Sequence, residues 1–422
     1  MKIKEVNIHN FRILRDVHIE LKPNMNLFIG INGAGKSTIL HALRILLSWF
    51  TARMVSKTGK GLALSNDDIS NGEENCRIEI VLDNGRKWSL YKLRTTIRKD
   101  VGEKSNLSDM NSYIRELYSG NTVEEHPYTV PFLAYYGVDR AVTNVPVYVG
   151  KKHLLKPVDI YSNFSEEKIN FRSFFEWFKE REDIENEQYR HDSHNFVPDK
   201  QLSAVRKAIE SALPGYTNLH IQRDPRAILV EKDGESFKFD QLSDGEKCYI
   251  TLIGDIARKI AMANPYMNNP VNAEGVVFID EVDLHLHPSW QQDVIQILEN
   301  AFRNVQFIIT THSPFIVSST EISDSSNILT VDNGTITELS YDAYGAQVQD
   351  VLSRVFELGT LRNKDVQQHI DELWNILSEP NYNRELFNKK LQWLQNKLSP
   401  TDIEFVKLKL EQALLNKQRN EL

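Results

Sequence analysis

The sequence predicts an α/β fold: a head with a mixed sheet, interrupted by a helical insertion and followed by an all-helical C-terminal appendage. Three observations carry this. First, "NLFIGINGAGKSTILHALRILL" runs from an apolar strand through a glycine-rich turn into an amphipathic helix. Second, "GVVFIDE" and "VQFIITTHS" are short, continuously apolar runs, as expected of strands buried on both faces of a sheet. Third, apolar residues near the C-terminus recur at helical spacing over three successive stretches.

In chain order, "VNIHNFRIL" and "VHIEL" alternate with period two and read as strands, and "HALRILLSWF" carries a helical stripe. "RIEIVLDNGRKWSLYKLRTTI" reads as a hairpin turning at Asp83-Asn84-Gly85, and "TVPFLAYYGVDR" as a buried strand ending at a functional loop. Residues 1–159 form the first part of the head. A polar, helix-patterned stretch, 160–215, with "FRSFFEWFKEREDIENEQ" as its clearest helix, is an insertion. Residues 216–345 resume the head, with a turn at Asp233-Gly234. Residues 346–422 form the appendage, expected to serve assembly or partner binding. Its stripes are Val366, Ile370, Leu373 and Leu377; Phe387, Leu391, Leu394 and Leu398; and Ile403, Val406, Leu410 and Leu414. Ser399-Pro400 with Asp402 reads as the start of the last helix, with proline at its first position.

Composition excludes several classes. At 422 residues the chain exceeds a single core, and 41% hydrophobic with 26% charged residues is ordinary for a globular protein. No apolar run approaches the ~20 residues that cross a bilayer. The N-terminus, "MKIKEVNIHNFRIL", lacks the apolar segment of a signal peptide, so a cytoplasmic location is expected. Two distant cysteines, Cys76 and Cys248, provide no disulfide framework. A net charge of −8 does not favour nucleic acid, and Lys151, Lys152 and Lys156 read as solvated surface.

"GINGAGKS" fits G-x-x-x-x-G-K-[ST] over Gly30–Ser37 without a mismatch. The glycines Gly30, Gly33 and Gly35, with Asn32 and Ala34 between them, let backbone N–H groups converge on phosphate oxygens. Lys36 supplies charge, Ser37 completes a Mg²⁺ shell, and Thr38 opens a helix whose dipole favours anions. ATP and Mg²⁺ are therefore the expected cofactors. In "GVVFIDEVD", Asp280 is expected to hold Mg²⁺ through water and Glu281 to orient or deprotonate the attacking water.

Two further stretches carry a resemblance. "LSDGEK", opening a helix, resembles the signature loop of ABC-type ATPases, and His312 in "IITTHSP" resembles their switch histidine. The resemblance implies that Ser243, Gly245 and Glu246 serve the nucleotide of the opposite subunit. It also implies a homodimer, or a higher assembly of dimers, with shared sites. "VNIHNFRILRDVHIEL" resembles the opening of the RecF-like and SMC-like group, which brings Arg12 towards the phosphates. No sustained heptads separate Lys36 from Ser243, so a long coiled-coil arm is not expected. "DEVDLHLHPSWQQ" is similar to the RecF-like and OLD-type branch; its alternating His285 and His287 read as a dimer-interface loop in preference to a zinc site. No Asp-x-Asp follows Ser325, so the nuclease chemistry of OLD-type proteins is not expected here.

The appendage, from "YGAQVQDVLSRVF" onward, resembles that of the PtuA family, the ATPases of Septu anti-phage systems. The resemblance implies an HNH nuclease (PtuB-like) as partner, DNA reached through that complex, and no membrane. The alternative is a RecF-like DNA-repair ATPase that clamps DNA itself. "YRHDSHNFV", with His191, His194 and Asn195, is the one HNH-like cluster and reads as an exposed loop. One departure stands out. ABC heads present a glutamine between cradle and signature, yet residues 1–187 contain none. "YYGVDR" occupies the corresponding place, with Asp139 or a main-chain group as substitute, and turnover is expected to be slow.

Overall fold

Period-two alternation at the N-terminus becomes strand β1 (Ile3–Phe11), which pairs antiparallel with β2 (Leu14–Glu20) and buries Val6 and Ile8 against Ile19 and Val17. The computed structural model describes residues 1–95, 103–119, 130–140, 156–161, 164–165, 172–379 and 382–420. Strands β4 (Asn75–Leu82) and β5 (Lys87–Leu93) extend the same sheet in the order β2-β1-β4-β5. Their hairpin turns at Asp83–Arg86, with Gly85 at φ +81°.

The central sheet has the order β13-β12-β3-β11-β10-β6. Its strands are β3 (Met25–Ile29), β6 (Phe132–Tyr136), β10 (Gly275–Ile279), β11 (Val305–Thr310), β12 (Ser326–Asp332) and β13 (Thr335–Glu338). All neighbours are parallel except the β12–β13 hairpin. Every residue of β3, β6, β10 and β11 is buried, which explains their mostly apolar runs; the two amides among them, Asn26 and Gln306, donate to backbone carbonyls. Because β3, β11 and β10 are adjacent and parallel, the loops after them open on one edge of the sheet. That edge is where an open α/β sheet builds its site.

Helix α1 (Lys36–Val55) follows β3 and α2 (Ser108–Ser119) follows β5. In the insertion, α3 (Arg172–His191) buries Phe174, Phe175, Trp177 and Phe178, and α4 (Lys200–Ala212) is capped by Asp199. A three-stranded sheet, β7 (Tyr216–Arg223), β8 (Arg226–Lys232) and β9 (Glu235–Lys238), turns at Asp233-Gly234. It leads into α5 (Asp244–Ala263), buried at every residue from Cys248 to Ala263. A Cβ on Gly254 of α5 would meet the Phe174 ring at 2.6 Å, so only glycine admits α3 this closely. Helices α6 (Pro288–Ala301) and α7 (Pro314–Ser318) complete this first unit, Met1–Ala346.

The second unit, Gln347–Leu422, holds α8 (Val348–Arg354), α9 (Lys364–Ser378), α10 (Arg384–Gln395) and α11 (Ile403–Asn420). Its core joins Ile370, Leu373 and Leu377 to Phe387, Leu391 and Leu394, as the first two stripes predict. The third stripe differs. Ile403, Val406, Leu410 and Leu414 are 69%, 49%, 61% and 48% exposed, while Phe405 and Leu408 enter the core. Helix α11 is apolar on two faces, and the aromatic face is the one that packs. Its start differs too: the helix begins at Ile403 rather than at Pro400. The Asp402 carboxylate accepts the N–H groups of Glu404 (3.0 Å) and Phe405 (3.4 Å), and Arg362 grips it from the other side at 2.8 and 3.0 Å.

Candidate functional site

Gly30–Gly35 forms a turn between β3 and α1, followed by Lys36–Thr38 in the first turn of the helix, and its shape depends on glycine at two positions in particular. Gly30 has φ +147°, and a Cβ there would lie 2.2 Å from the Val331 carbonyl oxygen. Gly35 caps α1 at φ +118°, where a Cβ would press on Ile13 at 3.1 Å. Asn32 and Gly33 are exposed at the tip, Ala34 is buried, and the Ala34 carbonyl accepts the Gly334 N–H at 2.9 Å.

Lys36 is 4% exposed, and its Nζ donates to the carbonyls of Gly30 (2.9 Å) and Ile31 (3.0 Å). Burial lowers its pKa, while Asp280, Glu281 and Asp283 pull the other way. Its Nζ stands 3.5 Å from His312 Nδ1. Burial, and then the Lys36 charge, push the His312 imidazole below its ordinary range, which favours its neutral form.

The parallel pairing of β10 with β11 brings the carboxylates to the same edge. Asp280 Oδ1 accepts from Ser37 Oγ at 3.0 Å and from Thr310 Oγ1 at 2.5 Å. Thr310 Oγ1 in turn accepts the Glu281 N–H at 2.7 Å. Asp283 Oδ1 accepts from Thr311 Oγ1 at 2.5 Å and from the His312 N–H at 3.4 Å. Lys36, Ser37, Asp280, Glu281 and His312, scattered through the sequence, thus share one site. Sequence reasoning missed Thr310, Thr311 and Asp283. The only signal was the "TTH" step, whose hydroxyls follow a strand and face the neighbouring strand's carboxylates. The donor set suits ATP and Mg²⁺: a glycine turn that a Cβ would obstruct, a buried ammonium, and a hydroxyl paired with a carboxylate, both oxygen ligands of the kind Mg²⁺ takes.

The remaining candidates divide. Arg12, at φ +55°, donates from Nε (3.0 Å) and Nη2 (2.8 Å) to Asp68 Oδ1. Burial raises the Asp68 pKa, but hydrogen bonds from Ser65 and Arg12 outweigh it and hold the carboxyl low. Ser243 caps α5, accepting the Glu246 N–H at 3.3 Å. Glu246 turns back into its own chain, accepting from the Ser243 N–H (2.7 Å), Lys232 Nζ (2.6 Å) and the Tyr216 hydroxyl. Gly245 has a local reason to be glycine, since a Cβ there would lie 2.5 Å from the His285 carbonyl. His285 (φ +67°) and His287 are exposed, and His287 caps α6 by accepting the Ser289 N–H. Among the described residues no group of three His, Cys, Asp or Glu could hold a metal ion. His191, His194 and Asn195 are exposed, with His194 and Asn195 hydrogen-bonded to Asp192. Asp139 is exposed, whereas its neighbour Arg140 is buried. Lys151 and Lys152 lie outside the described residues.

Comparison with known proteins gives the chain a family. The family described as an AAA domain matches residues 5–215, half of the chain, and a second, "AAA domain, putative AbiEii toxin, Type IV TA system", matches 149–318. The Retron Ec83 probable ATPase of Escherichia coli is 29% identical, over 97% of this chain and 86% of that protein. The Septu protein PtuA of Bacillus mycoides is 27% identical over 94% of this chain; the match spans 50% of that longer protein. Among solved structures, an SMC head bound to the C-winged helix domain of ScpA aligns with 81% of this chain and 98% of its own, at 15% identity and TM-score 0.43. The chain belongs to the AAA-domain family of ATPases, and its similarity extends to retron and Septu ATPases over nearly its whole length.

Proposed function

We propose that this chain is a cytoplasmic ATPase that dimerises around ATP and Mg²⁺ and regulates a partner HNH nuclease in bacterial anti-phage defence. The observation that carries the reading is the meeting of Lys36, Ser37, Asp280, Glu281 and His312 at one sheet edge, within hydrogen-bond reach of one another or of a shared threonine. Similarity to retron and Septu ATPases over nearly the whole chain supports the defence context. No described helix is long and apolar enough to cross a membrane.

Bound ATP would supply the scissile phosphoanhydride bond, and Mg²⁺ the charge that neutralises the phosphate oxygens. The Gly30–Thr38 N–H groups and Lys36 would cradle the phosphates, and Arg12, in the β1–β2 turn, would reach them by leaving Asp68. Ser37 and Asp280 would hold the metal. Glu281 would take the proton of the attacking water, and His312 would position the γ-phosphate. Ser243 and Gly245, on the loop shaped by Glu246, close the site of the opposite subunit. DNA is reached through the nuclease complex.

Lys36→Ala should abolish measurable ATP binding in calorimetry. Glu281→Gln should retain binding and lower hydrolysis by about 10²–10⁴-fold. A folded Lys36→Ala protein with unchanged affinity would overturn the site.

A further inference from the structure

After β6 the chain passes through Gly137 to Arg140, and Arg140 turns inward to 1% exposure. Its Nη1 donates to the carbonyls of Gly137 (3.0 Å) and Asp280 (2.5 Å), and its Nη2 donates to the Glu281 carbonyl. Its own carbonyl accepts from Cys248 Sγ on α5 at 3.8 Å. No carboxylate among the described residues forms an ion pair with it. A buried guanidinium without a counter-charge is costly unless its donors are satisfied, and here backbone carbonyls satisfy them.

Glu281 has φ +50°, a left-handed conformation that non-glycine residues seldom hold without support. It is supported on both sides. Thr310 Oγ1 accepts its N–H at 2.7 Å, and Arg140 Nη2 donates to its carbonyl. The Asp280–Glu281 peptide is therefore fixed between a strand hydroxyl and a guanidinium reaching in from the neighbouring strand's loop.

We infer that Arg140 is a positioning residue for hydrolysis: by clamping the Asp280 and Glu281 carbonyls it holds Glu281 in the backbone conformation that aims its carboxylate at the attacking water. It acts through Glu281 and does not touch the nucleotide. A lysine places one ammonium where the planar fork spans several carbonyls, so even the charge-conserving substitution loses part of the clamp. The inference rests on the proposed role of Glu281 as general base.

The test is single-turnover ATP hydrolysis by the full chain carrying Arg140→Lys or Arg140→Gln, alone and combined with Glu281→Gln. ATP affinity should stay within about threefold, while the rate falls about 10- to 100-fold, more for Gln than for Lys, because a displaced base loses rate rather than binding. In the Glu281→Gln background, Arg140→Lys should cause no further loss, since the group it positions is already gone. An unchanged rate in a folded single variant, or a multiplicative loss in the double variant, would overturn the inference. So would failure of both Arg140 variants to fold, which would assign the residue to the fold. Failure of the underlying reading looks different: Glu281→Gln would then hydrolyse ATP at the wild-type rate, whatever stands at position 140.

Discussion

At Glu246 three donors meet one carboxylate: Lys232, Tyr216 and the Ser243 N–H. Burial alone would raise its pKa, but these hydrogen bonds outweigh burial and bring it from 4.5 to about 2. A carboxyl depressed on folding stabilises the folded state above its unfolded pKa, and that stability is lost as pH falls through the folded value. The window for Glu246 therefore runs from about 4.5 down to about 2. Glu246→Gln should be less stable than the wild type at neutral pH, and the difference should shrink as melts are taken from about pH 6 to about pH 3. A difference that stays constant with pH would mean the carboxylate's charge is not what ties Ser243 to β8. Asp255 shows the same balance without exposure. Burial opposes its charge, yet Lys259 and Arg258 hold it low while the Tyr136 hydroxyl donates at 2.9 Å, joining α5 to β6.

The elements were legible in the sequence to different depths. The cradle and the Asp280–Glu281 strand end were plain, because phosphate and Mg²⁺ demand particular residues at particular spacing. Thr310 and Arg140 were not, because each acquires its role only when β6, β10 and β11 become neighbours, and no local pattern encodes that order. The packed face of α11 was hidden for another reason: two apolar stripes compete, and only the neighbouring helices choose between them. At the start of α5, Ser243 has a local duty as helix cap beside its proposed service to the opposite subunit. Ser243→Arg should lose about 1 kcal/mol of capping and also block that second site. Mixing Ser243→Arg with Lys36→Ala separates the two effects. Each variant alone lacks any intact composite site, but a mixed dimer keeps one, with both lesions gathered in the other. Random exchange should restore about a quarter of the wild-type ATPase rate if two-fold related subunits share their sites. No recovery from two folded variants that exchange subunits would place each site within a single chain.

For the whole molecule, the boundary between Ala346 and Gln347 separates an ATP-site unit from a helical unit with its own core. The second unit contains none of the residues that converge on the site, so hydrolysis has no chemical need of it. Its tryptophans are already engaged locally: Trp374 Nε1 donates to Glu404 at 3.3 Å, and the Trp393 ring stacks on His369 at 3.8 Å. The exposed Ile403, Val406, Leu410 and Leu414 are the stronger candidates for contact with another protein, since an apolar helix face usually packs on something. A net charge of −8 argues against this protein holding DNA by electrostatics alone. Truncation after Ala346 should therefore leave ATP affinity unchanged and abolish co-purification with a neighbour-encoded HNH nuclease. Val406→Glu with Leu410→Glu should do the same while sparing the helical core, because both side chains already face solvent and neither enters the cluster around Phe405 and Leu408. If the truncated chain stays soluble and still carries the nuclease through purification, the docking surface lies on the ATPase head. If the double substitution alone releases the nuclease, the outward face of α11 is where it binds.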